Sequence, residues 1–532
     1  MKEMPKWLKA KGYLHITESI SVQTNWRLYV HRIKSSAFIA QYAFYPLLHR
    51  ELKERRYKKP TPNKHKGKKR AHSHYCVLSK KVERSIKSRP LHYATHFDSL
   101  IYAYYAEILK DKYESFLKEH PVLSQSITAY RTIAISKTDS KGKSNIHFAK
   151  ESFEEITNRV QVDGETAVLA MDLKSFFSSL DHNHLYKAWA NILTENELPL
   201  DHYNVFKACT RFRYILLDDL RIKRNRGFDE EKLALIRKKK GYKSFFTDNK
   251  EFRNAIKTGK VPIYKNSFRR KEEDGTKTKV GIPQGLALSS ILANIYLLEF
   301  DKKIIQELVK KKGFFYRRYS DDILICCPEK ELKNTQKYIN DLVNEYRIEI
   351  SKDKTECFLF KMDAYNKNND QRLTSFKINE SGYTPHSPLV YLGFEFRGYN
   401  VLIKSANLAK YYRRMISIIK RRSKRAIKLS KANPTIPRAV FINQIKKMYN
   451  SPLKHSKKKE NKQIFRNRSY LVVNDRGEFE FESQQILGRQ SNYISYIKRC
   501  DEIFNTKSFS LQLKKKNIII GQAIKKHLIQ AR

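Results

Sequence analysis

Cysteine is scarce in this 532-residue sequence, and the six that are present form no Cys-x-x-Cys pair. That scarcity excludes a disulfide framework and a zinc ribbon, and it is typical of proteins in the reducing cytosol. The first residues, MKEMPKWLKAKGYLHIT, also lack the apolar core of a secretory signal. We therefore expect a cytoplasmic protein. His72, His74 and Cys76 could share one face of a strand, but no fourth ligand is apparent, so no metal site is predicted there.

Acidic residues are outnumbered two to one, at 54 against 107 lysines and arginines, which gives a net charge of +53. A chain with so large an excess repels itself unless its partner is a polyanion. The charge therefore favours nucleic acid over a small acidic substrate. The alternative is a basic surface that only keeps the chain soluble.

Long apolar runs are missing as well. The longest uncharged stretch, residues 280–298, has the length of a membrane span but contains Pro283, Gln284 and Asn294. No membrane-spanning helix is predicted, and we expect no membrane partner.

Apolar periodicity predicts the main secondary structure. Spacings of three and four residues predict helices at 93–120, 146–156, 331–346 and 408–432. Short apolar runs predict strands at 132–135, 167–172, 314–319, 323–327, 347–350 and 356–360, and a hairpin at 389–403. Cys326 and Cys327 are expected to be buried strand residues rather than redox centres. The Lys-rich segments at 51–70 and 223–242 are either solvated loops or nucleic-acid contacts.

Three carboxylates stand at the ends of these predicted strands. Asp172 ends one apolar strand, and Asp321 and Asp322 lie at the tip of a strand–turn–strand. Carboxylates beside buried strands are costly unless a cation neutralises them. Hard oxygen ligands suit Mg²⁺, and two such ions about 4 Å apart can activate a 3′-hydroxyl and stabilise a leaving pyrophosphate. Asp pairs are common in turns, so this pattern alone is weak evidence for a metal site, and the neighbouring sequence motifs have to support it.

The surrounding motifs supply that weight. They are DLKSFFSSLDH (172–182), GIPQGLALSSILANIYL (281–297), YRRYSDD (316–322), ISKDKTE (350–356) and YLGFEF (391–396), in this order. Together they resemble the successive palm motifs A to E of reverse transcriptases. The resemblance implies an α+β fold of the right-hand polymerase type, with mainly helical fingers, an α+β palm and a helical basic thumb. It also implies an RNA-directed DNA polymerase, a nucleotidyltransferase that uses two Mg²⁺ ions.

The resemblance implies a role for each matched residue. Asp172, Asp321 and Asp322 would be the catalytic, metal-binding carboxylates, with the Leu173 carbonyl as a further ligand. Phe177 would be the aromatic gate that excludes a ribose 2′-hydroxyl, unless it is a plain core residue.

Other matched residues are expected around the substrates. Lys354 would donate a proton to pyrophosphate, unless it is a solvated lysine, and Arg131 would reach the triphosphate from the fingers. The loop of Pro283, Gln284 and Gly285 would lie beside the incoming nucleotide and template, and the hairpin of Tyr391, Leu392 and Gly393 would hold the primer end.

The chain beyond the palm motifs is basic. In the helix predicted at 408–432, Arg413, Arg414 and Arg421 fall close to one face and are expected to contact the template–product duplex. Alternatively, these cations only solubilise the helix. The expected division is an N-terminal region with fingers at 1–165, palm at 166–200 and 279–403, a basic insertion at 201–278, and thumb with tail at 404–532.

Segments outside the palm motifs resemble one branch of these enzymes. KWLKAKGYLHIT, AFYPLLHRELKERRYK, RPLHYATHFDSLIYAYYAEIL, ITAYRTI and GRQSNYISYIKRCDEI look like segments of bacterial defence-associated reverse transcriptases of the abortive-infection or unknown groups. That resemblance implies antiphage DNA synthesis, either template-independent or on an RNA template such as a dedicated noncoding RNA. The expected partners are this RNA, dNTPs and the DNA product, with a homo-oligomer or a partner protein left open.

Three alternatives remain. The first is a reverse transcriptase of the group II intron or retron type. The second is an RNA polymerase with the same palm, which Phe177 argues against. The third is a catalytically inactive nucleic-acid-binding defence subunit, which the intact set of three acids argues against.

Overall fold

A computed structural model describes residues 4–20, 22, 25–66, 69–136, 142–222, 227–351, 354–364, 370–435, 440, 465–473, 479–487 and 492–529. The helices are α1 Trp26–Lys34, α2 Ser36–Ala40, α3 His96–Lys118, α4 Pro121–Ser126, α5 Asn145–Asp163, α6 Phe176–Ser179, α7 His182–Leu193, α8 Leu200–Thr210, α9 Glu230–Lys240, α10 Asn249–Lys257, α11 Ala287–Tyr296, α12 Leu298–Ile304, α13 Leu332–Glu345, α14 Ser405–Ala432, α15 Tyr493–Phe504, α16 Ser508–Leu511 and α17 Lys516–Ile524.

The strands form six sheets. They are β1 Leu47–Arg55, β2 Ser73–Cys76, β3 Lys81–Arg84, β4 Ile86–Tyr93, β5 Glu165–Asp172, β6 Arg213–Leu216, β7 Tyr264–Lys265, β8 Arg269–Lys271, β9 Lys277–Lys279, β10 Phe315–Tyr319, β11 Asp322–Cys327, β12 Glu356–Ala364, β13 Gln371–Asn379, β14 Gly382–Pro385, β15 Leu389–Tyr391, β16 Phe394–Phe396, β17 Val401–Ile403, β18 Phe465–Val473 and β19 Phe479–Leu487. The sheet orders are β4-β1-β6-β7, β10-β11-β5-β12-β13-β14, β15-β16-β17, β18-β19, β2-β3 and β8-β9.

The central strands β5 and β11 of the six-stranded sheet are buried on both faces. Leu169 and Ile323 belong to one apolar core, which α3, α7, α11 and α13 cover, whereas their chain neighbours Val168 and Leu324 belong to a second core. The second core is covered by α5, the β15-β16-β17 sheet and α15. Because alternate strand residues point to opposite faces, a sheet covered on both sides needs apolar residues at successive positions. This explains the continuous apolar runs that end β5 and fill β11.

A four-stranded sheet combines strands of the region expected to form the fingers with strands of the basic insertion. Its strand β1 pairs antiparallel with β4 along eight residues and parallel with β6. β4 pairs with β1 as far as Arg55, the last residue of β1. Residues 51–55, the first five of the Lys-rich segment 51–70, are therefore part of a paired strand and not of a loop.

The basic helix α14 packs against the rest of the chain through one buried stripe. Its buried side chains recur every three to four residues, at Tyr411, Met415, Ile419, Ser423 and Ala426. Met415 and Ile419 form a small core with α17. The cationic side chains therefore lie on the remaining faces of α14.

Most predicted elements are confirmed, and Cys326 and Cys327 are fully buried as expected. Two strand predictions are wrong. Residues 132–135 are mostly exposed and form only the single bridge Ala134–Gly142, and residues 347–350 contribute only the bridge Ile350–Leu173. Residues 223–226, and parts of the motifs at 350–356 and 488–503, lie outside the described residues.

The long uncharged run forms a loop followed by α11 and the start of α12. Eight of the ten residues of α11 are buried against the rest of the chain. Within the described residues, no helix combines the length and the apolar character that crossing a membrane requires.

Candidate active site

Two carboxylates face each other across the central sheet. Strand β11 pairs antiparallel with β5 in a register that sets Asp322 directly opposite Asp172. The backbone N–H of Leu173 donates to the carbonyl oxygen of Asp321 at 2.9 Å, and this bond links the residue after Asp172 to the residue before Asp322. Directly opposed residues on neighbouring strands have Cβ atoms about 4.5–5.5 Å apart. Asp172, Asp321 and Asp322 are therefore gathered at one end of the sheet.

A buried ion pair supports the turn that carries two of these acids. Ser320 and Asp321 form the two-residue loop between β10 and β11, and Ser320 has the left-handed backbone, φ +59°, that such hairpins require. Arg318 donates to the Ser320 carbonyl oxygen at 3.2 Å. The Arg318 guanidinium is itself paired with Asp301 at 2.6 Å, with both side chains fully buried. This pair anchors the turn from within the core.

The electrostatics of the site favour an added cation. Burial and, to a lesser extent, the negative charge of Asp321 raise the pKa of Asp322, whereas Lys404 and Lys87 lower it, and the result is a pKa of about 6. A carboxyl group in this environment is stabilised in its charged form when a cation binds beside it. The three carboxylates are hard oxygen donors on two adjacent strands, so they could hold divalent ions of the Mg²⁺ type.

Lys354, Lys87 and Lys404 lie near the carboxylates, and Arg56 lies near Lys354 and Lys87. Lys354 contacts a carboxylate oxygen of Asp172. Burial lowers the pKa of the Lys354 ammonium, and the neighbouring charges of Lys87, Arg56 and Lys404 lower it further. This concentration of positive charge next to the acids is suited to a polyphosphate.

The Pro-Gln-Gly loop packs between the palm and the fingers. The Ile282 N–H donates to the Phe177 carbonyl oxygen at 2.8 Å, and the His92 N–H of β4 donates to the Gln284 carbonyl oxygen at 2.8 Å. Gly285 has φ +122°, and a Cβ atom there would lie 2.6 Å from the His92 carbonyl oxygen. Only glycine allows this approach. The loop therefore contacts Phe177 through Ile282 and β4 through Gln284, and the Phe177 ring is half-buried beside Phe176.

The hairpin of β15 and β16 lies on the other side of the carboxylates. Leu392 and Gly393 form its two-residue loop with φ of +46° and +93°, the pattern of a type I′ turn. Tyr391 is buried, and its burial raises the pKa of its hydroxyl, as does the nearby negative charge of Asp322. The Lys404 N–H donates to the Gly393 carbonyl oxygen at 2.9 Å, which joins the hairpin to the start of α14.

Arg131 does not join this group, so its predicted role is corrected. Its guanidinium forms a bidentate pair with Glu114 of α3, at 2.8 Å for both bonds, and also donates to the Ser124 hydroxyl and to the carbonyl oxygens of Ser124 and Ile127. These bonds use all five of the N–H donors that a guanidinium has. The side chain is 6% exposed and fastens α3 to α4.

Two residues near the carboxylates were missed by sequence reasoning. Tyr130, next to Arg131 in the chain, is 49% exposed, has φ +63°, and bonds the Ser320 hydroxyl through its own hydroxyl at 3.1 Å. Lys87 lies on β4, near Asp321 and Asp322. No local pattern identifies either residue, because their positions depend on how the fingers pack on the palm.

The predicted cations of α14 are on the surface of the helix. Arg413, Arg414 and Arg421 are exposed. Arg413 also lies over the ring of Tyr57 in the fingers, and Lys410 pairs with Glu54 at the end of β1.

Comparison with known families identifies part of this chain. Residues 235–396 match the model of the family described as reverse transcriptase (RNA-dependent DNA polymerase). The match includes Asp321, Asp322 and the YLG hairpin, and Asp172 precedes it in the chain while facing Asp322 in the sheet. No curated protein matches the chain in sequence.

Among solved structures, the chain is similar to telomerases. One is telomerase from Candida albicans in complex with a TWJ fragment of telomeric RNA, at 15% identity and a TM-score of 0.30, over 56% of this chain and 37% of that one. Another is apo telomerase from Candida tropicalis truncated from its C-terminal domain, at 11% identity and a TM-score of 0.34, over 60% of this chain and 53% of that one. The match thus spans about a third to a half of these telomerase chains.

The family match, together with the sheet that carries the carboxylates, identifies the class of one domain of the chain. The chain contains a reverse transcriptase domain, with the α+β fold of a right-hand polymerase. The enzyme class of this domain is RNA-directed DNA polymerase.

Proposed function

We propose that this chain is a reverse transcriptase that adds dNTPs to a 3′ end by two-metal nucleotidyl transfer in bacterial antiphage defence. The observation that carries the proposal is the direct pairing of Asp172 with Asp322, with Asp321 in the adjoining turn. Synthesis is either RNA-templated or template-independent.

The three carboxylates are the proposed ligands of two Mg²⁺ ions. When bound, the ions supply positive charge at the attacking and leaving oxygens. Asp172 and Asp322 hold their side chains at a fixed separation because they are paired strand residues. Arg318 and Asp301 keep the turn with Asp321 in place. The protein thus supplies a rigid acidic platform whose repulsion the cations relieve.

The cations next to this platform are the proposed triphosphate contacts. Lys354 contacts Asp172. Lys87 of β4 is proposed to reach the triphosphate, the role that was expected of Arg131. The lowered pKa of Lys354 makes it a better proton donor to the leaving pyrophosphate. Phe177, whose carbonyl oxygen accepts from the Ile282 N–H of the Pro-Gln-Gly loop, is the proposed barrier to a 2′-hydroxyl.

The antiphage role and the RNA partner rest on different observations. The net charge of +53 suits a polyanionic partner. The similar Candida albicans telomerase is described in complex with telomeric RNA. The segments near the N-terminus and in the fingers resemble those of bacterial defence-associated reverse transcriptases.

The first experiment tests synthesis. Purified wild-type protein is given Mg²⁺ and labelled dNTPs, with an RNA template and DNA primer or with neither, beside the Asp321→Asn/Asp322→Asn variant. Losing the two charges should lower incorporation more than about a hundredfold, or about 3 kcal/mol. Asp341→Asn, at an exposed position of α13, serves as the control. Incorporation that survives in the double variant would contradict the assignment.

The second experiment tests defence. Bacteria that express the wild type, the double variant or the Asp341→Asn control are infected with a panel of phages, and plaques are counted. Protection by the wild type and the control but not by the double variant supports a defence role that needs synthesis. Protection by all three would favour the nucleic-acid-binding subunit, and protection by none would remove defence from the proposal.

A further inference from the structure

A small unit within residues 56–85 has almost no apolar core among its described residues, 56–66 and 69–85. The segment that precedes β2 runs back beside it through the bridges Lys58–Ala71 and His65–Cys76. Among the described residues of this unit, only His74 and Cys76 are buried, while Tyr75, Val77, Leu78 and Val82 are exposed. Units this small need a disulfide, a metal or a partner to stay ordered.

The unit gathers metal-binding side chains where a core would be. Cys76 and His74 share the buried face of β2, and Glu83 lies opposite His74 on β3. His65 is brought to the same place by its bridge to Cys76. The ligand atoms of His65, Cys76 and Glu83 all lie within 4.8 Å of one another.

The contacts within the cluster fit an ion-binding site. His65 Nε2 is 2.8 Å from a carboxylate oxygen of Glu83, and the Cys76 side chain is 1% exposed. His65 Nδ1 is buried without a hydrogen-bond partner among the described residues. Tetrahedral zinc ligands lie about 3.3–3.8 Å apart, so small side-chain shifts would suffice.

We propose that His65, Cys76 and Glu83 bind one zinc-class divalent ion that orders residues 56–85. Thiolate, imidazole and carboxylate together are the donors that zinc takes. The ion replaces the proton of the Cys76 thiol, which passes to solvent. Of the sequence candidates His72, His74 and Cys76, only Cys76 is one of these three ligands. His65 and Glu83 are separated from that motif in the chain and come next to it only through strand pairing.

His74 supports the site from the same face. Its Nε2 lies 3.1 Å from the Lys58 carbonyl oxygen, and its ring centre lies 5.5 Å from that of His65. A histidine held by a backbone carbonyl in this way presents its other nitrogen in a fixed tautomer. The fourth position of the ion is therefore open to His74 or to water.

Metal binding is tested on the full-length protein. The purified chain is loaded with ZnCl₂, freed of excess metal and analysed for bound zinc, and a second sample is titrated with CoCl₂. Wild type should retain about one zinc per chain and show the near-ultraviolet charge-transfer band of cobalt thiolate. Cys76→Ser should lose the band, and both Cys76→Ser and His65→Gln should weaken zinc binding at least about tenfold.

Matched controls separate this site from general thiol or histidine binding. Cys357→Ser changes a half-buried thiol of the palm, and His72→Gln changes a histidine whose ring packs beside Tyr57. Both controls should bind like wild type. Wild-type binding no stronger than that of Cys76→Ser and His65→Gln, or loss of the band in Cys357→Ser, would overturn the proposal.

Ordering of the unit provides a readout that is independent of metal analysis. Trypsin cleaves after lysine and arginine, which are frequent in residues 56–85. Zinc should slow cleavage within this unit in wild type and in Cys357→Ser, and should have no effect in Cys76→Ser. Equal protection in all three would contradict ordering through Cys76. A circular-dichroism melt of each variant confirms that the rest of the chain is folded.

Discussion

The guanidinium of Arg413 lies over the ring of Tyr57, 4.0 Å from the ring centre, and so joins the thumb helix to the fingers. One turn earlier, Lys410 pairs with Glu54, and this hydrogen bond lowers the pKa of the Glu54 carboxyl. Cation–ring contacts contribute about 0.5–1 kcal/mol when exposed. Arg413, which is exposed like Arg414 and Arg421, is therefore a contact between α14 and Tyr57 as well as a candidate contact for nucleic acid.

Neutralising the exposed thumb cations should weaken duplex binding. In Arg414→Gln/Arg421→Gln, the affinity for an RNA–DNA duplex is expected to fall with little dependence on sequence. Each lost phosphate contact should flatten the slope of log affinity against log salt by roughly 0.7–0.9. Fluorescence anisotropy at several salt concentrations measures both quantities.

The control removes the same charge elsewhere. Lys330 and Lys333 are exposed and follow Cys327, the last residue of β11. At about 3.3 Å per residue, Cys327 lies about 17 Å from Asp322 at the other end of this strand. Lys330→Gln/Lys333→Gln should keep the wild-type slope. Equal slopes for all three proteins would place the duplex on another surface.

Reducing the ring at Phe177 should relax sugar selection. Phe177→Val is expected to incorporate rNTPs more readily relative to dNTPs, because the proposed barrier is steric. Phe177→Tyr keeps the ring and should keep the discrimination. The measurement is the ratio of kcat/KM for a dNTP and the matching rNTP in each protein. An unchanged ratio in Phe177→Val would make Phe177 a core residue only.

Breaking the buried pair under the turn should destabilise the palm. Arg318→Met leaves Asp301 charged and unpaired, and such a change costs about 3–5 kcal/mol. The double variant Arg318→Met/Asp301→Leu removes both charges and should recover part of that loss. Urea unfolding of the wild type and both variants measures the effect. A single variant as stable as the wild type would show that the pair does not anchor the turn.

The sequence predicted the parts of the molecule that depend on local pattern. The apolar runs before Asp172 and after Asp322 indicated strands, and the family motifs indicated that these two residues meet. The roles of the site residues remain predictions. Long-range packing was beyond the sequence, as for Arg131, whose donors are taken by Glu114, and for the contact of Glu54 with Lys410, which are 356 residues apart. Lys87 was not predicted as a site residue because no sequence pattern in β4 indicates which of its residues lies near the carboxylates.

The buried histidine His15 should make stability depend on pH. Its ring is fully buried in the fingers with Nε2 3.1 Å from the Tyr93 carbonyl oxygen, and burial lowers its pKa to about 3. In the unfolded chain the pKa of histidine is about 6.5. As the pH falls below about 6.5, the unfolded state therefore binds a proton that the folded state refuses until about pH 3. The free energy of unfolding that His15 contributes therefore decreases by about 2 kcal/mol as the pH is lowered from 7 to 5.

Comparison with a variant isolates this contribution, because Asp98 acts in the opposite direction. Burial raises the pKa of Asp98 to about 6, so its protonation in the folded state adds stability as the pH falls from about 6 to 4. His15→Gln should be less stable than wild type at pH 7, and the difference should shrink by pH 5 because glutamine does not titrate. His31→Gln, at an exposed position of α1, should follow the wild-type dependence. Urea unfolding at both pH values measures the change, and a difference that stays constant would contradict a neutral buried His15.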